Sequence, residues 1–250
     1  MGLQGKVAII TGGGTGIGRS TAKLFARERA RVVIMGRRKE KLDQVVAEIE
    51  EAGGTALAVP GSVTNEADVE ECIETAVQSF GKIDILINNA GVAGSGAAAH
   101  EMSDETWHRI LDVNLTGVFR MTRAVLPSMI RAGGGSIVNV SSVSGVVSFL
   151  TDAAYSSAKA GVIMFTKHIA IEYAKQRIRC NCVCPAVVRT PLTEPFIQDK
   201  QTEQAVSAMH PLGRIATPEE VARAIYYLAS DGADFITGHV LTVDGGVTAR

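Results

Sequence analysis

The chain has 250 residues, enough for one large α/β domain with its own core, and 46% of them are hydrophobic. Its formal charge of −1 offers no electrostatic basis for binding nucleic acid or an anionic membrane. No apolar run reaches the ~20 residues of a membrane span, and no basic segment followed by an apolar stretch marks a secretory signal, so a cytoplasmic protein is expected. The cysteines, Cys72, Cys180, Cys182 and Cys184, lack the C-x-x-C spacing of zinc or redox sites. They read as small core residues, and no metal is expected.

In chain order, the first apolar run, residues 7–10, leads into T-G-G-G-T-G-I-G at residues 11–18, and a helical pattern follows. Glycines at such a strand-to-helix turn let backbone approach a pyrophosphate, whose charge the helix N-terminus favours. Gly12, Thr15, Gly16, Ile17 and Gly18 are therefore cofactor candidates, although the spacing is G-x-x-x-G-x-G instead of G-x-G-x-x-G. The second strand, residues 32–35, ends in Gly36-Arg37-Arg38. An acidic residue there would bind a ribose 2′-hydroxyl and repel a 2′-phosphate. Gly36 removes that repulsion, and the guanidinium groups of Arg37 and Arg38 suit phosphate.

A third apolar run at residues 56–59 precedes Ser62 and Val63, and an amphipathic stripe follows at Val69, Cys72, Ile73, Ala76, Val77 and Phe80. Residues 83–87 form the fourth strand and lead into N-N-A-G at residues 88–91. The fifth, residues 136–140, is followed by Ser142, and then Tyr155-Ser156-Ser157-Ala158-Lys159 lies on a helix. Tyr155 and Lys159 are i and i+4, so they share a face, and an ammonium beside a phenol favours its ionisation. Ser142, at a strand C-terminus where open α/β sheets bind ligands, could hold a substrate oxygen. The sixth strand spans residues 178–184 and the seventh residues 240–243. Between them residues 190–212, punctuated by Pro191, Pro195 and Pro211, read as a lid.

The alternation of unbroken apolar runs with amphipathic helices predicts one domain over residues 1–250. It is a Rossmann-like, doubly wound α/β fold with about seven parallel strands and helices on both faces. Pocket candidates are the small or apolar Val92, Ala93, Ser95, Ser144, Phe149, Leu150, Val187, Leu192 and Phe196, a set that suits a neutral carbonyl or secondary alcohol.

The glycine-rich turn, N-N-A-G, Asn114 in V-N-L, Ser142, Y-S-S-A-K, Pro185 with Thr190, and V-D-G-G at residues 243–246 together resemble the short-chain dehydrogenase/reductase family over the whole chain. The resemblance implies that Tyr155 is the general acid/base and that Lys159 lowers its pKa and holds the nicotinamide ribose. It further implies that Ser142 polarises the substrate oxygen and that Asn114 supports a water-linked proton path. Asn89, Ala90, Gly91, Val188 and Thr190 would line the nucleotide, and hydride would leave the nicotinamide B face. The expected activity is NADP(H)-dependent interconversion of a carbonyl and a secondary alcohol by a homotetramer, with NAD(H) as the alternative cofactor. The alternative activity is 3-oxoacyl thioester reduction, and the alternative of another class is a non-catalytic dinucleotide sensor or scaffold. The tetramer would use the two long middle helices together with the last helix and strand. Three departures stand out: Ser62 replaces the family's adenine-binding aspartate, Pro185-Ala186 replaces Pro-Gly, and Gly133 and Ile171 stand where the resembling acyl carrier protein reductases carry arginines that dock the carrier.

Overall fold

The computed structural model describes residues 2–149 and 152–249. Its seven parallel strands are β1 (Val7–Thr11), β2 (Arg31–Gly36), β3 (Thr55–Pro60), β4 (Ile85–Asn88), β5 (Gly135–Val140), β6 (Ile178–Pro185) and β7 (Val240–Val243). They lie side by side in the order β3-β2-β1-β4-β5-β6-β7. The order reverses between β1 and β4, and splaying of the connections there opens a crevice at the strand C-termini. The expected doubly wound sheet is the observed one.

Helices α1 (Gly16–Arg27), α2 (Lys39–Glu51) and α8 (Pro218–Ala229) cover one face. There Phe25, Leu42, Ile49 and Ile225 pack with Ala8, Ile10, Val32 and Ile34. Helices α3 (Glu66–Phe80), α5 (Gly117–Ala132) and α6 (Ala153–Glu172) cover the other, where Cys72, Met121, Val125 and Ile169 meet Ile9, Val33, Met35 and Leu86. Alternate residues of each central strand feed opposite cores, so no polar alternation survives in the sequence.

The connections vary with their task. Helix α3 starts at Asn65, whose side chain accepts from the Ala67 and Asp68 N–H groups, and stops at Gly81 in the left-handed region (φ 80°). Helix α4 (Asp104–Leu111) runs into α5 through a π-helical turn, Asp112–Thr116. The irregular stretch 190–212 holds a 3-10 turn, Glu194–Phe196, and helix α7 (Lys200–Ala208). Among the described residues no helix is long and apolar enough to cross a membrane.

Candidate active site

The turn after β1 is shaped by contacts that leave no room for side chains. Gly12 and Gly16 have φ of 66° and 53°, in the region that favours glycine. A Cβ on Gly18 would sit 2.2 Å from the Gly12 carbonyl oxygen, and one on Gly12 would sit 2.8 Å from Asn89 Nδ2. Thr15 precedes α1 without a side-chain cap, and no acidic residue occupies its first turn. The leading N–H groups of α1 therefore face the crevice with no carboxylate competing for them. N-N-A-G is tied to this turn: Asn89 and Ala90 each donate a backbone N–H to Thr11 Oγ1 at 3.0 Å, and Asn89 Nδ2 donates to the Thr11 carbonyl at 2.9 Å. Asn88 points instead into the core, donating to Thr122 Oγ1 and Asn139 Oδ1.

A cleft of about 870 Å³ begins here and runs across the C-terminal edge of the sheet. One end is lined by Gly36, Arg37, Arg38, Ser62 and Val63. Both arginines are exposed, and Arg38 donates to Thr15 Oγ1 at 3.3 Å, spanning the two loops. Lys41, in the first turn of α2, joins them on the wall. Sequence reasoning passed over it, although its place three residues after Arg38 was the available signal. Ser62 pairs its hydroxyl with Thr64 Oγ1 at 2.8 Å and donates its N–H to Asp68 Oδ2 at 2.7 Å. A carboxylate thus stands beside this loop, supplied by α3 instead of by position 62.

The other end brings together Asn114, Ser142, Tyr155 and Lys159, all on the cleft wall. Ser142 follows β5 and caps the 3-10 turn Val143–Gly145 by accepting the Ser144 N–H at 3.1 Å. Its side chain stands close enough to Tyr155 to favour the phenolate. Asp152 caps α6 by accepting the Tyr155 N–H at 2.9 Å, which fixes the helix turn that carries the phenol. Lys159 is buried and donates from Nζ to the Val140 carbonyl at 3.0 Å, with Nζ 5.6 Å from the Tyr155 ring centroid. Asn114 sits in the π-helical turn, where its amide donates to the Val92 and Ile110 carbonyls and its Oδ1 accepts from the Val92 N–H. A π turn at a ligand wall re-aims one side chain without ending the helix.

Burial raises the Tyr155 phenol above its ordinary value, and the nearby Ser142 works against that rise. Burial also brings the Lys159 ammonium down to about 8, because a charge leaves water without a paired anion. The lowering of the phenol expected from the Tyr155–Lys159 spacing is not what governs it: desolvation does, and the net shift is upward.

Of the remaining candidates, Thr15, Gly16, Ile17, Ala90, Gly91, Val188, Thr190 and Leu192 line the cleft. Gly18 lies behind the turn. Ser144, Phe149 and Val187 are not on the cleft wall: the Ser144 hydroxyl donates to the Phe149 carbonyl at 2.9 Å, and the Val187 carbonyl accepts the Ala216 N–H. Leu150 lies outside the described residues. Val92 and Ala93 line the cleft, and so does Ala186, whose methyl narrows the wall where the family carries glycine. Among the described residues no cluster of His, Cys, Asp and Glu could hold a metal ion.

Comparison with known proteins places this geometry. The family model described as enoyl-(acyl carrier protein) reductase matches residues 12–248. The chain is 44% identical to a 3-oxoacyl-[acyl-carrier-protein] reductase of Thermotoga maritima, covering 99% of both chains. It is 43% identical to a cis-4-hydroxycyclohexanecarboxylate dehydrogenase of Sinomonas cyclohexanicum, covering 98% of this chain and 97% of the relative. A short-chain type dehydrogenase/reductase from Mycobacterium marinum superposes with a TM-score of 0.95 at 36% identity, over 100% of this chain and 98% of that one. A variant of the actinorhodin polyketide ketoreductase, solved with NADPH, gives 0.93 at 36% identity over 98% of each chain.

Proposed function

Since the chain belongs to the short-chain dehydrogenase/reductase family and is an NAD(P)-dependent oxidoreductase of the alcohol–carbonyl couple, we propose that it prefers NADP(H). We further propose that it works on a neutral ketone or secondary alcohol with Tyr155 as general acid/base. The observation that carries this reading is the meeting of Ser142, Tyr155 and Lys159 on one cleft wall, at the far end from Arg37 and Arg38.

The residues present fit a dinucleotide. Gly12, Gly16 and Gly18 leave a cradle that a Cβ would fill, the α1 N-terminus is uncapped, and the cleft connects it to both ends. Arg37, Arg38 and Lys41 surround the place where a 2′-phosphate would lie, with Gly36 in place of a repelling carboxylate. The NADPH in the related ketoreductase supports the same preference. The bound nicotinamide supplies or accepts the hydride. In reduction Ser142 Oγ and Tyr155 Oη hold the carbonyl oxygen between them, and Tyr155 delivers its proton to that oxygen. In oxidation Tyr155 takes the hydroxyl proton. The cation on Lys159 stabilises the phenolate that delivery leaves behind, and its neighbours Asn114 and Gly91 mark the side from which a proton returns. The wall at Val92, Ala93, Ala186 and Leu192 excludes water and suits an uncharged alicyclic or aliphatic group.

Residues 190–212 act as the lid: Thr190, Pro191, Leu192 and Thr193 already line the cleft, and Phe196 is half exposed beside them. We infer a cytoplasmic homotetramer. Phe119 and Ile130 on α5, Met164 and Ile171 on α6, Tyr227 on α8 and Phe235 before β7 are apolar and exposed, as faces awaiting a second copy would be.

The test is oxidation of NADPH and NADH by the purified chain with cyclohexanone, aliphatic ketones and an acetoacetyl thioester. The reading expects turnover of the simple ketones with NADPH favoured at equal concentration. Exclusive turnover of the thioester would favour the activity named for the 44% identical relative. No turnover of any carbonyl would leave dinucleotide binding alone.

A further inference from the structure

One carboxylate serves two parts of the site that are far apart in sequence. Asp152 is buried, with 5% of its surface exposed. One of its oxygens caps α6 at the Tyr155 N–H. The other receives three donors from the irregular loop after β4: the Ser95 N–H, the Ser95 hydroxyl at 2.7 Å and the Gly96 N–H at 3.1 Å. That loop also carries Val92 and Ala93, which wall the cleft. Its near end is held separately, by Asn114 on both backbone groups of Val92. Its far end, with Ser95 and Gly96 exposed, has these three bonds to Asp152 as its tie to the catalytic helix.

Two further facts point the same way. A Cβ on Gly94 would stand 2.8 Å from Asp152 Oδ2 and 3.0 Å from its Cγ, so the loop approaches as closely as it does because residue 94 is glycine. Burial works to raise the Asp152 carboxyl, yet its net shift is downward because the bonds from Tyr155, Ser95 and Gly96 favour the ionised form. Only an ionised carboxylate accepts at every lone pair.

We propose that Asp152 is a positioning residue that straps the substrate-side loop, residues 92–97, to the helix bearing Tyr155. It thereby sets the distance between the Val92–Ala93 wall and the phenol. Substrate fit depends on this strap, while nucleotide affinity, anchored at the glycine turn and at Arg37 and Arg38, does not. The proposal rests on Tyr155 as the catalytic group and on a carbonyl substrate between it and that wall.

The test uses the full chain with Asp152→Asn and, separately, Gly94→Ala. Asparagine matches aspartate as a helix cap but offers an NH2 where the loop needs an acceptor. Gly94→Ala leaves the carboxylate in place and pushes the loop off it. Two readouts are taken. In hydrogen exchange, the Ser95 and Gly96 amides are expected to lose protection in both variants, while the strand amides of β4 and β5 keep theirs. In steady-state kinetics with the ketone that the wild type turns over best, KM is expected to rise about ten-fold or more with kcat changed less than about three-fold, the mark of lost binding shared by ground and transition states. NADPH affinity, read by its fluorescence, stays at the wild-type value. Unchanged exchange at Ser95 and Gly96 overturns the strap, and so does an unchanged KM. A parallel fall of kcat, NADPH affinity and melting temperature overturns it too, since it would mark Asp152 as a general structural cap. A wild type silent on every carbonyl refutes the functional reading instead, and the exchange experiment then still decides whether the strap exists.

Discussion

At the nucleotide end of the cleft, the groups offered to a ligand are mostly main chain: the N–H groups opening α1 and a turn in which Gly12, Gly16 and Gly18 tolerate no Cβ. At the carbonyl end they are side chains, Ser142, Tyr155 and Lys159. Each is fixed by its local frame: Asp152 caps the turn of α6 that carries Tyr155, the Val140 carbonyl of β5 holds Lys159, and Ser142 caps the Val143–Gly145 turn. A site made of backbone depends on few residue identities and withstands change elsewhere. A site made of side chains concentrates its chemistry in one or two atoms and depends on the contacts that aim them. The two ends should therefore fail separately.

The largest break in that comparison is Tyr155→Phe. Removing the hydroxyl is expected to lower kcat for ketone reduction by about 10²- to 10⁴-fold, the usual worth of a general acid, while melting temperature and NADPH affinity stay close to wild type. Activity within about ten-fold of wild type at matched folding would remove Tyr155 from the role assigned.

Next in size is the 2′-phosphate end. Each charge-assisted hydrogen bond contributes roughly 1.5–3 kcal/mol, so Arg37→Ala should weaken NADPH about ten-fold or more and leave NADH almost unchanged. The double variant with Arg38→Ala should lose more, and Gly36→Asp should turn the preference toward NADH by repulsion. Competitive titration of both nucleotides reads these effects. Equal losses for NADPH and NADH would mark both arginines as ordinary surface residues.

The difference in legibility between the two ends follows from the same contrast. The strands were readable because both their faces are buried, and the expected runs agree with the observed ones to within a residue or two at most ends. The clearest shift is β4, expected over residues 83–87 and observed at Ile85–Asn88: Ile83 is fully buried but enters the core ahead of the ladder. The glycine turn was readable because close backbone approach constrains residue type locally. Tyr155 and Lys159 were readable as an i, i+4 pair. Ser144, Phe149 and Val187 are small or apolar residues near the site, and residue type alone does not tell a wall from a residue behind it. Ser144 spends its hydroxyl on Phe149. The Asp152–Ser95 contact joins positions 57 apart in sequence, so no local pattern announces it.

A smaller effect concerns pH. With burial bringing Lys159 to about 8, the folded protein loses that cation as pH rises through about 8, whereas an unfolded lysine keeps it to its ordinary value of 10.5. Ketone reduction is expected to fall along this limb. Tyr155, whose phenol is raised by burial, stays protonated and does not produce it. The linked effect on stability has the opposite sign: the folded state binds fewer protons at this group, so its contribution becomes more favourable as pH rises from about 8 to 10.5. The activity loss is thus not unfolding. A pH–rate profile of Lys159→Arg, whose charge persists, should lack the limb, and an unchanged limb would assign it to another group.

The independence of the two ends is tested most directly by measuring NADPH affinity and single-turnover ketone reduction on Tyr155→Phe and on the double variant Arg37→Ala with Arg38→Ala, side by side. The account predicts a crossed result. Tyr155→Phe keeps NADPH affinity and loses turnover by about a hundred-fold or more. The arginine variant loses NADPH affinity by about ten-fold or more and recovers near wild-type turnover once NADPH saturates. If affinity and turnover instead fall together in both variants, the two ends are one cooperative unit and the division drawn here is wrong.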